Sequence, residues 1–324
     1  MNEFSIIIYD RSHFEEWNNF IAKAKNATFL FHRDFMEYHQ DRFTDYSLMV
    51  YKKDILVAVL PATVEKDVLT SHAGLTYGGL ICASNIRSQT FFEAFATVLE
   101  FLEQRQISNL EIKVIPVMYN TDFADELEYI SFVTEATLRR RDLLSVIDLA
   151  KPTSFGSNKK SEIKKAIKNH LTVLETDDMS DFWEQVLVPN LERKYHKSPV
   201  HTLEEIQILK GFFPNQIRQF NVYADRIIGG AMVFETETTA HVQYIAGVDG
   251  YNNLGGLDLL HAHLIENVFA GKQFFDFGIS NEEEGRKLNK GLLYWKEGFG
   301  ARAVVQNFYR IKTTNHLKLK QLWI

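Results

Sequence analysis

The sequence predicts a mixed α/β protein built from two similar halves. Three observations carry this: apolar alternation of strand length interleaved with amphipathic helical stretches, a seven-residue match between the halves at an offset of 172, and a polar break, Lys151-Pro152-Thr153-Ser154-Phe155-Gly156, near the middle. The 324 residues suffice for two domains with a core each, expected at 1–150 and 151–324. Hydrophobic residues make up 45% and charged residues 24%, which excludes disordered and low-complexity classes.

The first half reads as a strand over 4–9, helices over 13–25 and 33–40, and a hairpin of 46–51 and 55–64 around Lys52-Lys53-Asp54. A strand near 68–72 leads into a glycine-marked loop at 74–79, a helix over 90–105 and the alternation Leu110, Ile112, Val114. Two further strands are expected at 132–138 and 143–149. The second half repeats the scheme: helix 159–169, strand 171–175, helices 179–194 and 203–211, then another hairpin. There Val222-Tyr223-Ala224-Asp225-Arg226-Ile227-Ile228 matches Val50-Tyr51-Lys52-Lys53-Asp54-Ile55-Leu56. Ala246-Gly247 then stands where Ala73-Gly74 stood, and helix and strand follow in both halves, 90–105 into 109–115 and 257–270 into 273–277. One element order used twice predicts a duplicated domain.

Charge is uneven. Residues 1–150 hold 14 Lys/Arg and 22 Asp/Glu, whereas 151–324 hold 22 and 20, within a net charge of −6. The stretch 157–170, SNKKSEIKKAIKNH, carries five lysines and one glutamate, which reads either as a local anion site or as a solvated helix face. A pI near 6.0 argues against bulk nucleic-acid binding and against DNA as a partner. One cysteine, Cys82, forms no internal disulfide and removes a Cys-based zinc site. The opening run FSIIIYD is too short for a signal peptide and no stretch is long enough to span a bilayer, so a cytoplasmic protein without membrane insertion is expected.

Strand 239–246, loop 247–256, helix 257–270 and strand 273–277 form a parallel β–α–β unit. Gly255 and Gly256 at the helix start let backbone N–H groups approach a pyrophosphate or carboxylate, or serve simply as turn residues. Further on, Lys296 lies within Tyr294-Trp295-Lys296-Glu297-Gly298-Phe299-Gly300. Among apolar neighbours its ammonium loses hydration, and it reads as an oxyanion-stabilising cation, as a proton shuttle of depressed pKa, or as a lysine reaching along Trp295 to water. Rival chemistry finds no support. No H-E-x-x-H, P-loop or G-x-G-x-x-G occurs, and His261 and His263 point to opposite helix faces, so no metal is expected. Cys82 sits in an apolar strand and reads as packed.

The order Tyr244-Ile245-Ala246-Gly247, glycine loop, helix 257–270, Gly271-Lys272-Gln273-Phe274-Phe275-Asp276-Phe277-Gly278 and Leu293-Tyr294-Trp295-Lys296-Glu297-Gly298-Phe299-Gly300 resembles FemABX-type proteins. Within them it is most similar to the branch of GNAT family N-acetyltransferases with a BioF2-like acetyltransferase domain. The basic helix 159–169, Phe29-Leu30-Phe31-His32 and Tyr77-Gly78-Gly79-Leu80 resemble that family too. The resemblance covers nearly the whole chain and is strongest over 219–305. It implies an α/β (α+β) fold of two tandem GNAT-like domains, each a mixed twisted sheet flanked by helices, with an acceptor cleft between them and the donor on the second. The loop departs from the ordinary basic acetyl-CoA motif, reading Asn252-Asn253-Leu254-Gly255-Gly256-Leu257, and the helical-hairpin insertion of some tRNA-dependent members is missing.

On this reading Lys296 stabilises the donor carbonyl or oxyanion, Asp276 takes an amine proton or orients Lys296, and Tyr294 protonates the leaving group. Ala246, Gly247, Asn253, Gly255, Gly256 and Leu257 hold the donor, with acetyl-CoA the first choice of acyl-CoA. His72, Tyr77, one arginine of Arg139-Arg140-Arg141 (Arg141 foremost), Lys164 and Lys165 hold the acceptor. His72, Tyr77 and Tyr294 read equally as structural residues. Three functions compete: an acyl-CoA-dependent N-acyltransferase acting on an amino sugar or a nucleotide- or lipid-linked cell-envelope or polysaccharide precursor, an aminoacyl-tRNA-dependent transferase of FemX type, and a non-catalytic ligand- or partner-binding GNAT pair. A monomer is expected, because two halves in one chain can satisfy their own interface.

Overall fold

Lys53 and Asp54 both take left-handed backbone angles, φ 50° and 56°, and this two-residue turn folds Leu48–Lys52 back on Ile55–Leu60. The fold is that of a computed structural model, which describes residues 3–324. Phe4–Ile8 and Ile81–Cys82 complete a four-stranded sheet with this hairpin. A second set of strands starts at Thr63–Glu65 and continues through Val68–Thr70, which pairs in parallel with Asn109–Lys113. Between them runs the helix Ser88–Gln104, whose Phe91, Phe95, Val98, Leu99 and Leu102 recur at helical spacing and bury against Leu48, Val50, Ala58 and Leu60. These elements belong to one compact unit, Met1–Asp142 with Val305–Ile324, and Leu143–Val304 forms the other. The division therefore differs from the expected 1–150 and 151–324. The last strand, Arg302–Lys312, pairs antiparallel to Asn109–Lys113 through Phe308–Lys312 and ties the C-terminal segment into the first unit.

The strand expected at 132–138 is not one. Glu126–Val133 is a helix that buries Leu127, Ile130 and Ser131 at a spacing of three and four, and leaves Phe132 80% exposed. Glu135, at φ 50°, turns the chain into a single long strand, Thr137–Asp148, which also takes in the strand expected at 143–149.

In the second unit the strands lie in the order Thr137–Asp148 (from Leu143), Phe274–Ile279, Thr239–Gly247, Ile227–Glu235, Ile217–Tyr223 and Thr172–Thr176. Helix Ser157–Lys168 follows the first of these strands in the chain and precedes the rest, and Leu203–Phe212 begins at a capping box between Thr202 and Glu205. The stretch expected as one helix over 179–194 is Ser180–Phe182, a wide turn at Trp183–Leu187 with i→i+5 bonding, then Val188–Tyr195. The helix after the glycine loop likewise passes from Gly256–His263 into a wide turn, Leu264–Val268. Its Leu260, Leu264 and Ile265 pack with Phe220, Val242, Phe275, Phe277 and Phe299. Among the described residues no helix is long and apolar enough to cross a membrane.

The repeat extends to irregularities. Each hairpin has a register shift at the corresponding place, between Val50 and Tyr51 in the first unit and between Val222 and Tyr223 in the second. Each unit also joins a parallel strand pair by a helix. The fold class is thus mixed α/β, with sheets flanked by helices and one element order used twice.

Gly255 has φ +76°, and a Cβ there would overlap the carbonyl oxygen of Glu162, because helix Ser157–Lys168 lies across the glycine loop. Gly255→Ala is therefore expected to destabilise the protein by about 2–4 kcal/mol, read as a lowered midpoint in denaturant unfolding, whereas Gly211→Ala, with open space at its Cβ, is not.

Candidate active site

The parallel strands Thr239–Gly247 and Phe274–Ile279 pair over three residues only, Thr239 with Phe274, Ala240 with Phe275 and His241 with Asp276. Beyond that point they part. Gly278 takes φ +70°, which favours glycine, and pairing with Leu144–Asp148 shifts register between Asp276 and Ile279. Two charged side chains hold this kink. Asp276 Oδ1 accepts the Gly278 N–H at 2.7 Å, and Lys296 Nζ donates to the carbonyls of Gly278 at 3.1 Å and Ile279 at 2.6 Å. Gly278 is gripped at both its N–H and its carbonyl.

Asp276 is fully buried, and its Oδ2 accepts from His241 Nδ1 at 2.9 Å. Because a carboxylate only accepts, Nδ1 is the donor in this bond. Lys296 is 3% exposed; burial pushes its ammonium down to about 8, against the opposing pull of Asp276. An ammonium has three N–H donors, and the two carbonyls use two of them.

Strand Thr239–Gly247 has its own irregularity: Met232 pairs with Tyr244 but Val233 with Val242, so Gln243 bulges. Past the bulge, Ile245, Ala246 and Gly247 wall a cavity of about 530 Å³. Asn190 Nδ2 donates to the Gly247 carbonyl at 2.7 Å, and Gly256 and Leu257 bring the start of the next helix to the same space. Leu292 and Trp295, from helix Lys290–Glu297, close another side. Lys159 enters from the basic helix. Its Nζ pairs with Asp258 and lies 4.6 and 4.7 Å from the ring centroids of Trp295 and Phe299. Burial lowers the Lys159 pKa, partly offset by Asp258. Asp258 occupies the first turn of helix Gly256–His263, where a carboxylate is favoured by the helix dipole. Beneath Trp295, His261 is fully buried against Phe277 and Phe299, donates from Nδ1 to the Leu257 carbonyl at 2.8 Å and is pushed down to about 4 by burial.

No known protein family and no curated protein matches the chain by sequence. Solved structures do match by shape. FemX superposes with a TM-score of 0.66 at 11% identity, covering 97% of this chain and 99% of that one. The chain has a FemABX-like tandem GNAT fold. The same fold is shared with L-PGS from Bacillus licheniformis (TM-score 0.55, 10% identity, 97% of each chain) and with a tandem GNAT protein from the clavulanic acid biosynthesis pathway (0.52, 11% identity, 96% and 99%).

Within the second GNAT unit the structure brings together Lys296 and Asp276 around Gly278, and places Ala246, Gly247, Gly256 and Leu257 on the cavity wall. Other expected residues lie elsewhere. Tyr294 is 66% exposed, with its hydroxyl accepting from Asn158 Nδ2 at 3.3 Å, because two residues along a helix turn it away from Lys296. Asn253 is exposed, and Gly255 packs under the Glu162 carbonyl instead of opening backbone to a ligand. Lys164 and Lys165 face solvent, Lys165 paired with Glu162 at 3.2 Å, so the cavity's lysine from this helix is Lys159. In the first unit Tyr77 is core, its hydroxyl donating to Thr28 Oγ1 at 3.1 Å against Phe31 and Tyr119. Arg141 is exposed and donates to Asn307 Oδ1 at 2.7 Å, while Arg140 binds Asp142 through two nitrogens. His72 lines a separate cavity of that unit. Cys82 is buried, and burial pushes its thiol up to about 12. Sequence reasoning missed His241, Lys159 and Asn190. The pairing of His241 with Asp276 was the one readable signal, given the two parallel strands.

The lowered pKa of Lys296 makes a signed prediction. A lysine protonated less readily when folded weakens stability below its folded pKa, and that penalty fades as pH rises toward 10.5. Relative to Lys296→Met, the wild type should gain up to about 3 kcal/mol of unfolding free energy between pH 8 and 10.5. A difference constant across that window, in paired urea titrations, would place the ammonium in water.

Proposed function

We propose that the chain is an N-acyltransferase that moves an acyl group from acyl-CoA to an amine, with the second GNAT unit holding the donor and carrying the chemistry and the first serving the acceptor. The observation that supports it best is the parting of strands Thr239–Gly247 and Phe274–Ile279 beside a cavity walled by Ala246 and Gly247, with Lys296, Asp276 and His241 at the fork. The acceptor class we favour is an amino sugar or an amine-bearing envelope or polysaccharide precursor. A CoA thioester is a cytoplasmic metabolite, and the reading places the activity there.

In this reading the thioester carbonyl enters the fork. Backbone N–H groups past the Gln243 bulge and the third Lys296 N–H meet the oxyanion that forms as the amine nitrogen attacks. His241 Nε2 takes the amine proton, with Asp276 holding the imidazole in the required tautomer. The C–N bond forms, the C–S bond breaks, and the departing thiolate takes back the proton held on His241 as the amide is released, leaving the imidazole as it began.

A second donor, aminoacyl-tRNA, draws support from Asp258. The helix terminus that would take a pyrophosphate already faces this carboxylate and its Lys159 partner. Thermal shift against coenzyme A, acetyl-CoA and charged tRNA separates the two. A bound donor at 100 times its Kd adds about 2.7 kcal/mol, and tRNA binding falls steeply with salt. In assays with acetyl-CoA and a panel of amines, His241→Ala and Lys296→Ala should each lower kcat about 100-fold or more with the fold retained. Unchanged turnover in both variants removes the assigned roles, and no turnover with any donor leaves a ligand-binding GNAT pair.

A further inference from the structure

Helix Val188–Tyr195 turns one face to the cavity beside Ala246 and Gly247. Asn190, Leu191 and Lys194 share that face, with Lys194 three and four residues beyond the other two, and all three line the cavity. The helix is tied to the loop it faces at two points. Asn190 Nδ2 donates to the Gly247 carbonyl at 2.7 Å, and Arg193 pairs with Asp249. Asn190 is 8% exposed. Its bond to Gly247 fixes which way the amide is turned and leaves Oδ1 as an acceptor to which no described residue donates. A buried acceptor is costly to leave unmet, and a ligand N–H entering the cavity would meet it.

Charge points to the same helix. Among the described residues, Lys159, Glu162, Lys194 and Asp258 are the charged side chains on the cavity wall. Lys159 is spent on Asp258, and Glu162 pairs with Lys165 at 3.2 Å. Lys194 has no carboxylate partner among the described residues. Partial burial and the Arg193 guanidinium push its ammonium below the usual lysine range, the mark of a cation short of counter-charge. The start of helix Gly256–His263 is closed to phosphate, because the Glu162 carbonyl packs on Gly255 and Asp258 stands in the first turn. Positive charge for an anionic ligand is thus left to Lys194. Asn190 is buried and Lys194 exposed, so acceptor, apolar side chain and cation run in that order from the cavity toward solvent.

We propose that helix Val188–Tyr195 recognises the donor, with Asn190 Oδ1 accepting an amide N–H of a phosphopantetheine arm, Leu191 against its methylenes and Lys194 on its phosphate. The proposal rests on the acyl-CoA reading and deepens it, by naming what tells that arm from a charged RNA, which carries phosphates but no amide-bearing arm. The test splits the donor in two. Ligand-observed NMR on the full chain compares coenzyme A with pantetheine, which has amides and no phosphate, and with the phosphoadenosine diphosphate half, which has phosphates and no amide. An aminoacylated RNA minihelix is the contrast. Asn190→Ala is expected to weaken coenzyme A and pantetheine about tenfold and spare the nucleotide half. Lys194→Ala is expected to weaken coenzyme A and the nucleotide half about tenfold and spare pantetheine. Loss of packing alone would weaken all three alike, so the crossed pattern is the readout, and the Lys194→Ala arm decides by itself if Asn190→Ala does not fold. Equal losses, no losses, no binding of any ligand, or binding of the minihelix alone overturns the assignment. A wild type that turns over acetyl-CoA, with variants that bind every ligand as well as it does, removes only this assignment. The crossed pattern without turnover upholds it and removes only the transfer chemistry.

Discussion

The second unit depends on how one glycine is held. Gly278 sits at φ +70° with its N–H on Asp276 and its carbonyl on Lys296, and at that residue two parallel strands stop pairing. A kink in a central strand leaves backbone groups without ladder partners, and burial makes such groups expensive to leave unmet. A buried carboxylate and a buried ammonium meet them here. Their charges lie close enough for Asp276 to offset part of the desolvation of Lys296, so the ammonium costs less there than it would alone. The strands part at this kink, and further along Thr239–Gly247 the residues Ala246 and Gly247 wall the cavity.

The fold was legible in the sequence to an unusual depth. The seven-residue match between the two hairpins corresponds to register shifts at equivalent positions, so the repeat is structural down to a bulge. What failed was local. Phe132 and Val133 read as strand because they are apolar and adjacent, but they end a helix whose buried residues, Leu127, Ile130 and Ser131, keep the helical period. The wide turns at Trp183–Leu187 and Leu264–Val268 left no mark in the pattern, since one extra residue per turn changes which side chains face inward without changing their character.

The site was legible where chemistry conflicts with environment and obscure where only geometry speaks. Lys296 stands out because a lysine among Trp295, Phe299 and glycines needs a partner, and it has two carbonyls. Tyr294 shares the segment but not the face. In the basic helix, Lys159 is buried and Ala166 lies one face-repeat on, while Lys164 and Lys165 turn outward, a distinction that the lysine count conceals. His241 is 35 residues from Asp276 in sequence, and only the parallel register puts them side by side.

The central claim is that the opened strands of the second unit receive an activated carbonyl. The most direct measurement is the backbone amide spectrum of isotopically labelled protein titrated with a non-hydrolysable acyl-CoA thioether. The account predicts saturable shifts at Ala246, Gly247 and Leu257, with smaller ones at Gly278. Saturable shifts confined to residues outside the second unit, with these four unmoved, would contradict it.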